Sequence, residues 1–207
     1  MGRAPISHLH TTASHGTQAP ARRTRRKRMD RIGVFLSSKT NIPDSYKAAT
    51  HDVGRWIGQT GRTLVYGGAA KGMMEELAQS VKRSGGKVIG VIPQILIDRG
   101  LESSNIDISF YCNDLGDRKN AMMRESEMFV ALPGGVGTLD EVMTVLATGT
   151  IGLGHKTVVL YNVDGCWDGL ISLLNETIGN GLTDKAVMDN IKIVNTPQEL
   201  EEIAQKG

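Results

Sequence analysis

Two stretches of this 207-residue chain hold side chains whose types and spacing suit chemistry: Pro133-Gly134-Gly135-Val136-Gly137-Thr138-Leu139-Asp140-Glu141 and Asp117-Arg118-Lys119-Asn120. The first follows an apolar run, Met128 to Leu132, and leads into an amphipathic one, Leu139 to Thr148. It therefore reads as a strand–turn–helix junction. Glycines in such a turn let backbone N–H groups approach an anion closely, and the helix N-terminus favours negative charge there. A phosphate group is the guest this arrangement suits. Glu141 beside it is harder to explain by binding alone and suggests catalysis. The spacing Thr138-x-x-Glu141 also fits a capping box, in which Glu141 only closes its own helix; spacing leaves both readings open. Asp140 reads as an acid in the first helical turn. Asp117-Arg118-Lys119-Asn120 reads as the start of another helix, where cations oppose the macrodipole and a phosphate or carboxylate partner would offset the penalty.

The elements that must position these residues alternate from Arg31 onward. Apolar runs at 32–36, 63–66, 87–92, 107–111, 128–132, 157–161 and 191–194 read as strands. Amphipathic runs at 44–59, 72–83, 117–127, 139–148 and 167–178 read as helices, and a last helix follows a Thr196-Pro197-Gln198-Glu199 capping box. Strands without in–out alternation, separated by helices, indicate a parallel sheet covered on both faces. The expected fold is α/β, a single Rossmann-like doubly wound parallel sheet over residues 29–207. Ligands in such sheets sit beyond the carboxyl ends of the strands. That rule gathers Ser37-Ser38, Gly67-Gly68 and the 133–138 turn at one rim, with Ser37, Gly67 and Gly68 as substrate-binding candidates.

Composition excludes several classes. Aromatic residues are 4% of the chain, too few for a base-stacking platform. Cys112 and Cys166 have no CxxC partner and fit a reduced compartment. No apolar run approaches the roughly 20 residues that span a bilayer, so a cytoplasmic location without membrane contact is expected. Residues 1–28 carry seven basic residues and no acid; removing them from the net charge of +2 leaves −5 for the rest. This segment has no periodicity and is expected to be disordered. It reads as upstream sequence ahead of Met29, or else as a nucleic-acid arm or targeting segment. The acidic remainder offers no continuing basic face, which argues against nucleic acid as a partner. Three of the five histidines (His8, His10, His15) fall in that segment, and His51 and His155 lack ligand-like spacing, so no metal is expected. There is no GxGxxG in the first strand–helix turn and no GxxxxGK[ST] anywhere, which weakens NAD-linked and ATP-hydrolysing readings.

Taken together, DRKNAMM at 117–123 and PGGVGTLDE at 133–141 resemble the paired RK and PGGxGTxxE signature of the LONELY GUY family. LVYGG at 64–68, GGKVIGVIP at 85–93 and YNVDGCWDGL at 161–170 support the match, which runs from about Arg31 to Val194. Members are cytokinin riboside 5′-monophosphate phosphoribohydrolases, often labelled lysine decarboxylase-like. The resemblance implies hydrolysis of the N-glycosidic bond of a purine nucleoside 5′-monophosphate, giving free base and ribose 5-phosphate. It implies Arg118 and Glu141 as the catalytic pair, and Lys119, Gly134, Gly135, Gly137 and Thr138 as substrate-binding positions. It also implies a homodimer and no cofactor. The chain departs from the family's GGGxxGLMG pattern at Ala69, Lys71 and Glu75, has Asp98-Arg99-Gly100 where many members carry a PRE-like stretch, and has Gly116 where many carry His.

Two alternatives differ in class. A decarboxylase using pyridoxal would need a Schiff-base lysine with phosphate and pyridinium partners; Lys119 has no such supporting set in the sequence. A non-catalytic carrier of nucleotide or molybdopterin-type cofactor shares the fold and a similar glycine turn, but has no need of Arg118 and Glu141 together.

Overall fold

The computed structural model describes residues 28–206. The expected disorder of residues 1–28 thus falls, apart from Arg28, outside the described residues. Seven strands form one sheet: β1 (Arg31–Phe35), β2 (Thr63–Tyr66), β3 (Lys87–Pro93), β4 (Ile108–Cys112), β5 (Met128–Ala131), β6 (Val158–Tyr161) and β7 (Ile191–Val194). Their order is β4-β3-β2-β1-β5-β6-β7, and every pairing is parallel. The α/β doubly wound reading is correct. Strand order reverses beside β1, with β2 on one side and β5 on the other, and open α/β sheets bind their ligands beyond the carboxyl ends of the strands at such a point.

Burial explains why the strands form where they do. The central strands β5 and β6 are buried throughout, as continuous apolar runs covered on both faces require. On one face, α1 (Asp44–Gln59), α2 (Gly72–Arg83) and α7 (Pro197–Gln205) pack Val53, Ile57, Leu77, Val81 and Leu200 onto Ile32, Leu64 and Val130. On the other, α4 (Leu115–Glu125), α5 (Val136–Thr150) and α6 (Asp168–Gly179) pack Met122, Val142, Leu146 and Leu174 onto Phe35, Val65 and Phe129. Phe35 and Phe129 stack at 4.7 Å between ring centroids. A four-residue helix, α3 (Gln94–Ile97), follows β3 and carries no apolar periodicity that the sequence could announce.

The helix starts differ from expectation at the two places that matter most for the site. Helix α5 begins at Val136 with Gly135 as its N-cap, three residues before the apolar periodicity starts. Helix α4 begins at Leu115, capped by the Asp114 carboxylate, which accepts from the Asp117 N–H. The exposed pair Leu115-Gly116 gave no amphipathic signal and concealed that first turn. Helix α1 begins at Asp44, directly after Pro43 as its N-cap.

Candidate active site

The residues singled out by type converge at the strand-order reversal. The Ser37 N–H, past the end of β1, donates to the Pro133 carbonyl at 3.4 Å and ties the two turns together. The Ser37 hydroxyl accepts from the Lys39 N–H at 3.1 Å, so it shapes its own turn. Gly72, which opens α2, lies directly against the Ser38 and Lys39 carbonyls.

Arg118 links three elements. Its side chain leaves the second turn of α4; Nε donates to the Val91 carbonyl of β3 at 3.2 Å, and Nη1 donates to Glu141 Oε1 at 2.7 Å. Nη2 lies against Gly67 and has no hydrogen-bond partner among the described residues. A Cβ at Gly67 would overlap Nη2, so glycine there is a steric requirement of the arginine's path. Gly68, with φ +74°, accepts from the Ser103 N–H through its carbonyl.

Glu141 is buried, with 6% of its side chain exposed, and Arg118 is nearly so at 11%. Because α5 starts at Val136, Glu141 sits in the second turn, out of reach of a capping role. Its carboxylate faces Arg118 instead of its own helix end. The capping-box reading of Thr138-x-x-Glu141 is therefore wrong, and its physical cause is the earlier helix start. Desolvation by burial pushes the Glu141 carboxyl above the usual range, only partly offset by the charge and hydrogen bond of Arg118. An ionisable group held so at a sheet rim is suited to chemistry.

The glycine turn is open. Gly134, Gly135 and Gly137 are exposed, and nothing lies where a Cβ at Gly135 or Gly137 would point. A Cβ at Gly134 would overlap Thr138, whose buried side chain fills the turn from beneath. The amides of the first turn of α5 have no partner within their own helix, and no side chain at Gly135 or Gly137 covers them, an arrangement that admits an anion.

Lys119 and Asp140 are a second pair beside the first: Lys119 Nζ donates to both Asp140 oxygens at 2.8 Å. Asp140 is not in the first turn of α5 as expected, for the same reason as Glu141. Nor do Arg118 and Lys119 open α4; they lie one turn in, and the carboxylates of α5 offset their charges. Of the departures from the family pattern, Glu75 is engaged on one side only: Oε1 accepts from Gln79 at 3.1 Å and Asn105 at 2.7 Å, while Oε2 is buried with no hydrogen-bond partner among the described residues. Glu102, just past Asp98-Arg99-Gly100, accepts from Ser109 and Tyr111. Among the described residues no group of three or more His, Cys, Asp or Glu side chains could hold a metal, and no helix is long and apolar enough to cross a membrane.

Fold and site together define a Rossmann-like α/β protein with an open glycine turn and a buried Arg–Glu pair where the strand order reverses. A family model described as "possible lysine decarboxylase" matches residues 74–203. A protein of Oryza sativa subsp. japonica, named a probable cytokinin riboside 5′-monophosphate phosphoribohydrolase, is 38% identical over 154 residues, covering 74% of this chain and 68% of that one. An Arabidopsis thaliana protein, named a cytokinin riboside 5′-monophosphate phosphoribohydrolase, is 34% identical over 156 residues, covering 75% and 68%. The chain belongs to the LONELY GUY family. Among solved structures, the molybdenum cofactor binding protein of Rippkaea orientalis aligns with a TM-score of 0.64 at 25% identity, covering 85% of this chain and 95% of that one. The molybdenum cofactor carrier protein of Chlamydomonas reinhardtii aligns at 0.62 and 24%, covering 86% and 98%, and shares the fold.

Proposed function

We propose that this chain is a phosphoribohydrolase acting on purine nucleoside 5′-monophosphates of the cytokinin type. Water adds to C1′ as the C1′–N9 bond breaks, giving free base and ribose 5-phosphate. The observation that carries this reading is the buried Arg118–Glu141 pair beside an unobstructed glycine turn. Phosphate on the amides of Gly134, Gly135 and Gly137 would fix the ribose over α5, an orientational contribution to rate. The transition state of base departure is oxocarbenium-like, as in glycoside hydrolysis. In this reading Glu141, as the carboxylate, stabilises the positive charge that grows at C1′ or orients the attacking water. Arg118 keeps Glu141 in place through Nη1 and offers Nη2 to sugar or phosphate oxygens. Lys119 adds charge on the phosphate side, and Thr138 shapes the turn. The names of the Oryza and Arabidopsis relatives support the substrate class.

The same reading includes a single catalytic domain over residues 29–207, a homodimer and a cytoplasmic location. The homodimer is supported by an apolar stripe on α5, Val136 at 84% exposure followed by Leu139 and Met143, starting beside the site. Light scattering on the purified chain should give twice the monomer mass; a monomer would remove that part of the proposal.

A second reading, a non-catalytic carrier, is favoured by the alignment with the molybdenum cofactor binding protein. Incubation with AMP, followed by chromatography, separates the two. Free adenine and ribose 5-phosphate are expected; AMP bound but recovered intact would favour the carrier. Comparing AMP with isopentenyl-AMP, GMP and CMP then assigns the base.

A further inference from the structure

Lys119 is tied to Asp140 by two hydrogen bonds of 2.8 Å, one residue along each helix from the Arg118–Glu141 pair. The pairs stand side by side as two rungs between α4 and α5. Neighbouring cations repel, and the N-terminal end of α5 adds partial positive charge of its own. Asp140 lies four residues beyond Val136, which stacks the two on one face of α5, and helical side chains lean toward the N-terminus. The Lys119 ammonium is thereby tied to the face of α5 that carries Val136, on the side of the helix start. Lys119 is 21% exposed. Without a counter-ion its long flexible stem would carry the charge into water, away from Arg118.

Asp140, at 52% exposure, would by itself repel an anion bound at the glycine turn. With both oxygens engaged by one ammonium, the pair is neutral and turns its cationic partner into a fixed neighbour of that turn. An exposed pair of this kind adds little to folding stability, so its geometric effect on a bound anion should outweigh its structural one.

We propose that Asp140 is a positioning residue: it holds Lys119 beside the first turn of α5 and so pre-forms the cationic flank of the seat for a substrate phosphomonoester. The ligand's identity as a nucleoside 5′-monophosphate rests on the phosphoribohydrolase reading; Asp140 itself touches no substrate.

The test uses the full chain with Asp140→Asn, Asp140→Glu, Lys119→Ala and the Lys119→Ala/Asp140→Asn double variant. AMP affinity is read by calorimetry, and KM and kcat by adenine release. Asp140→Asn should raise Kd and KM about tenfold, the scale of one charge-assisted hydrogen bond, with a much smaller change in kcat. Asp140→Glu should recover most of the affinity, because it restores the charge. The double variant should bind no more weakly than Lys119→Ala, since the aspartate acts only through the lysine. Unchanged or tighter AMP binding in Asp140→Asn would overturn the proposal, as would additive losses in the double variant. The Lys119→Ala background removes any general folding effect from that comparison. AMP bound without adenine release refutes the phosphoribohydrolase reading alone and leaves the calorimetric test of Asp140 intact; a wild-type chain that does not bind AMP overturns both.

Discussion

Arg62–Glu201 and Arg118–Glu141 are both arginine–glutamate pairs with a buried or nearly buried guanidinium, and they are completed in opposite ways. Arg62 is fully buried. Its Nε donates to the Met29 carbonyl, its Nη1 and Nη2 reach both Glu201 oxygens at 2.6 and 3.2 Å, and its Cζ lies over the Trp56 ring, 4.8 Å from the centroid. Trp56 and Gln205 donate to the same carboxylate. Burial pushes Glu201 up, but the hydrogen bonds from Arg62, Gln205 and Trp56 outweigh it and hold the carboxyl below the usual range. Among the described residues Glu141 receives one hydrogen bond, from Arg118, and its carboxyl is held above that range by burial. A pair in which each guanidinium nitrogen makes a hydrogen bond fastens α7 to the turn before β2. A pair in which one nitrogen, Nη2, has no partner among the described residues, beside an open glycine turn, retains capacity for a ligand.

Paired substitutions break the comparison most sharply. Arg118→Ala should lower turnover of AMP about a thousandfold, in the range of lost electrostatic and acid–base assistance, while the protein stays folded. Glu201→Ala leaves the Arg62 charge buried and unpaired, and should cost about 3 kcal/mol of stability with turnover per folded molecule unchanged. Denaturant melts alongside adenine-release assays read both; a large turnover loss in Glu201→Ala would erase the distinction.

Gly67→Ala probes the path of the arginine. The added methyl overlaps Nη2 and must displace the guanidinium, so turnover should fall about tenfold or more through misplacement alone. Wild-type kinetics in this variant would mean that Arg118 need not lie where it does.

The smallest effect is the order of two pH transitions. Both glutamates start from an ordinary value of 4.5. Glu141 titrates above it when folded, so its carboxylate, and with it kcat/KM, is lost as pH falls through that raised value. Its stability contribution has the matching sign: it favours the fold at low pH and is lost as pH rises through the raised value. Glu201 titrates below 4.5, so its contribution is present above the unfolded value and lost only as pH falls through the lowered one. On acidification, activity should therefore decline before the melting temperature does. Coincident loss of both would remove the contrast between the two carboxylates.

Much of this was legible in the chain because it rests on local signals. The strands β2 and β7 and the helices α1 and α2 fall where apolar periodicity and glycine stops place them. The glycine turn and the Arg–Lys pair announce themselves by residue type. The same T-x-x-E spacing occurs twice, however, and means two things. At Thr196 it forms a capping box with Glu199, with Pro197 as the first helical residue. At Thr138 it does not, because Gly135 starts α5 earlier and rotates Glu141 into the second turn, toward Arg118. Pairing across 21 or 23 residues, Lys119 with Asp140 and Arg118 with Glu141, depends on α4 and α5 being neighbours, a tertiary fact. The burial of Arg62 had no local signal at all.

The most direct measurement compares wild-type protein and Glu141→Gln at saturating AMP, reading bound nucleotide and released adenine in the same sample. The amide keeps the shape and an acceptor for Arg118 but removes the negative charge, so AMP should still bind while release falls about a thousandfold. Adenine appearing at the wild-type rate would contradict the assignment of Glu141 as the group that acts at C1′.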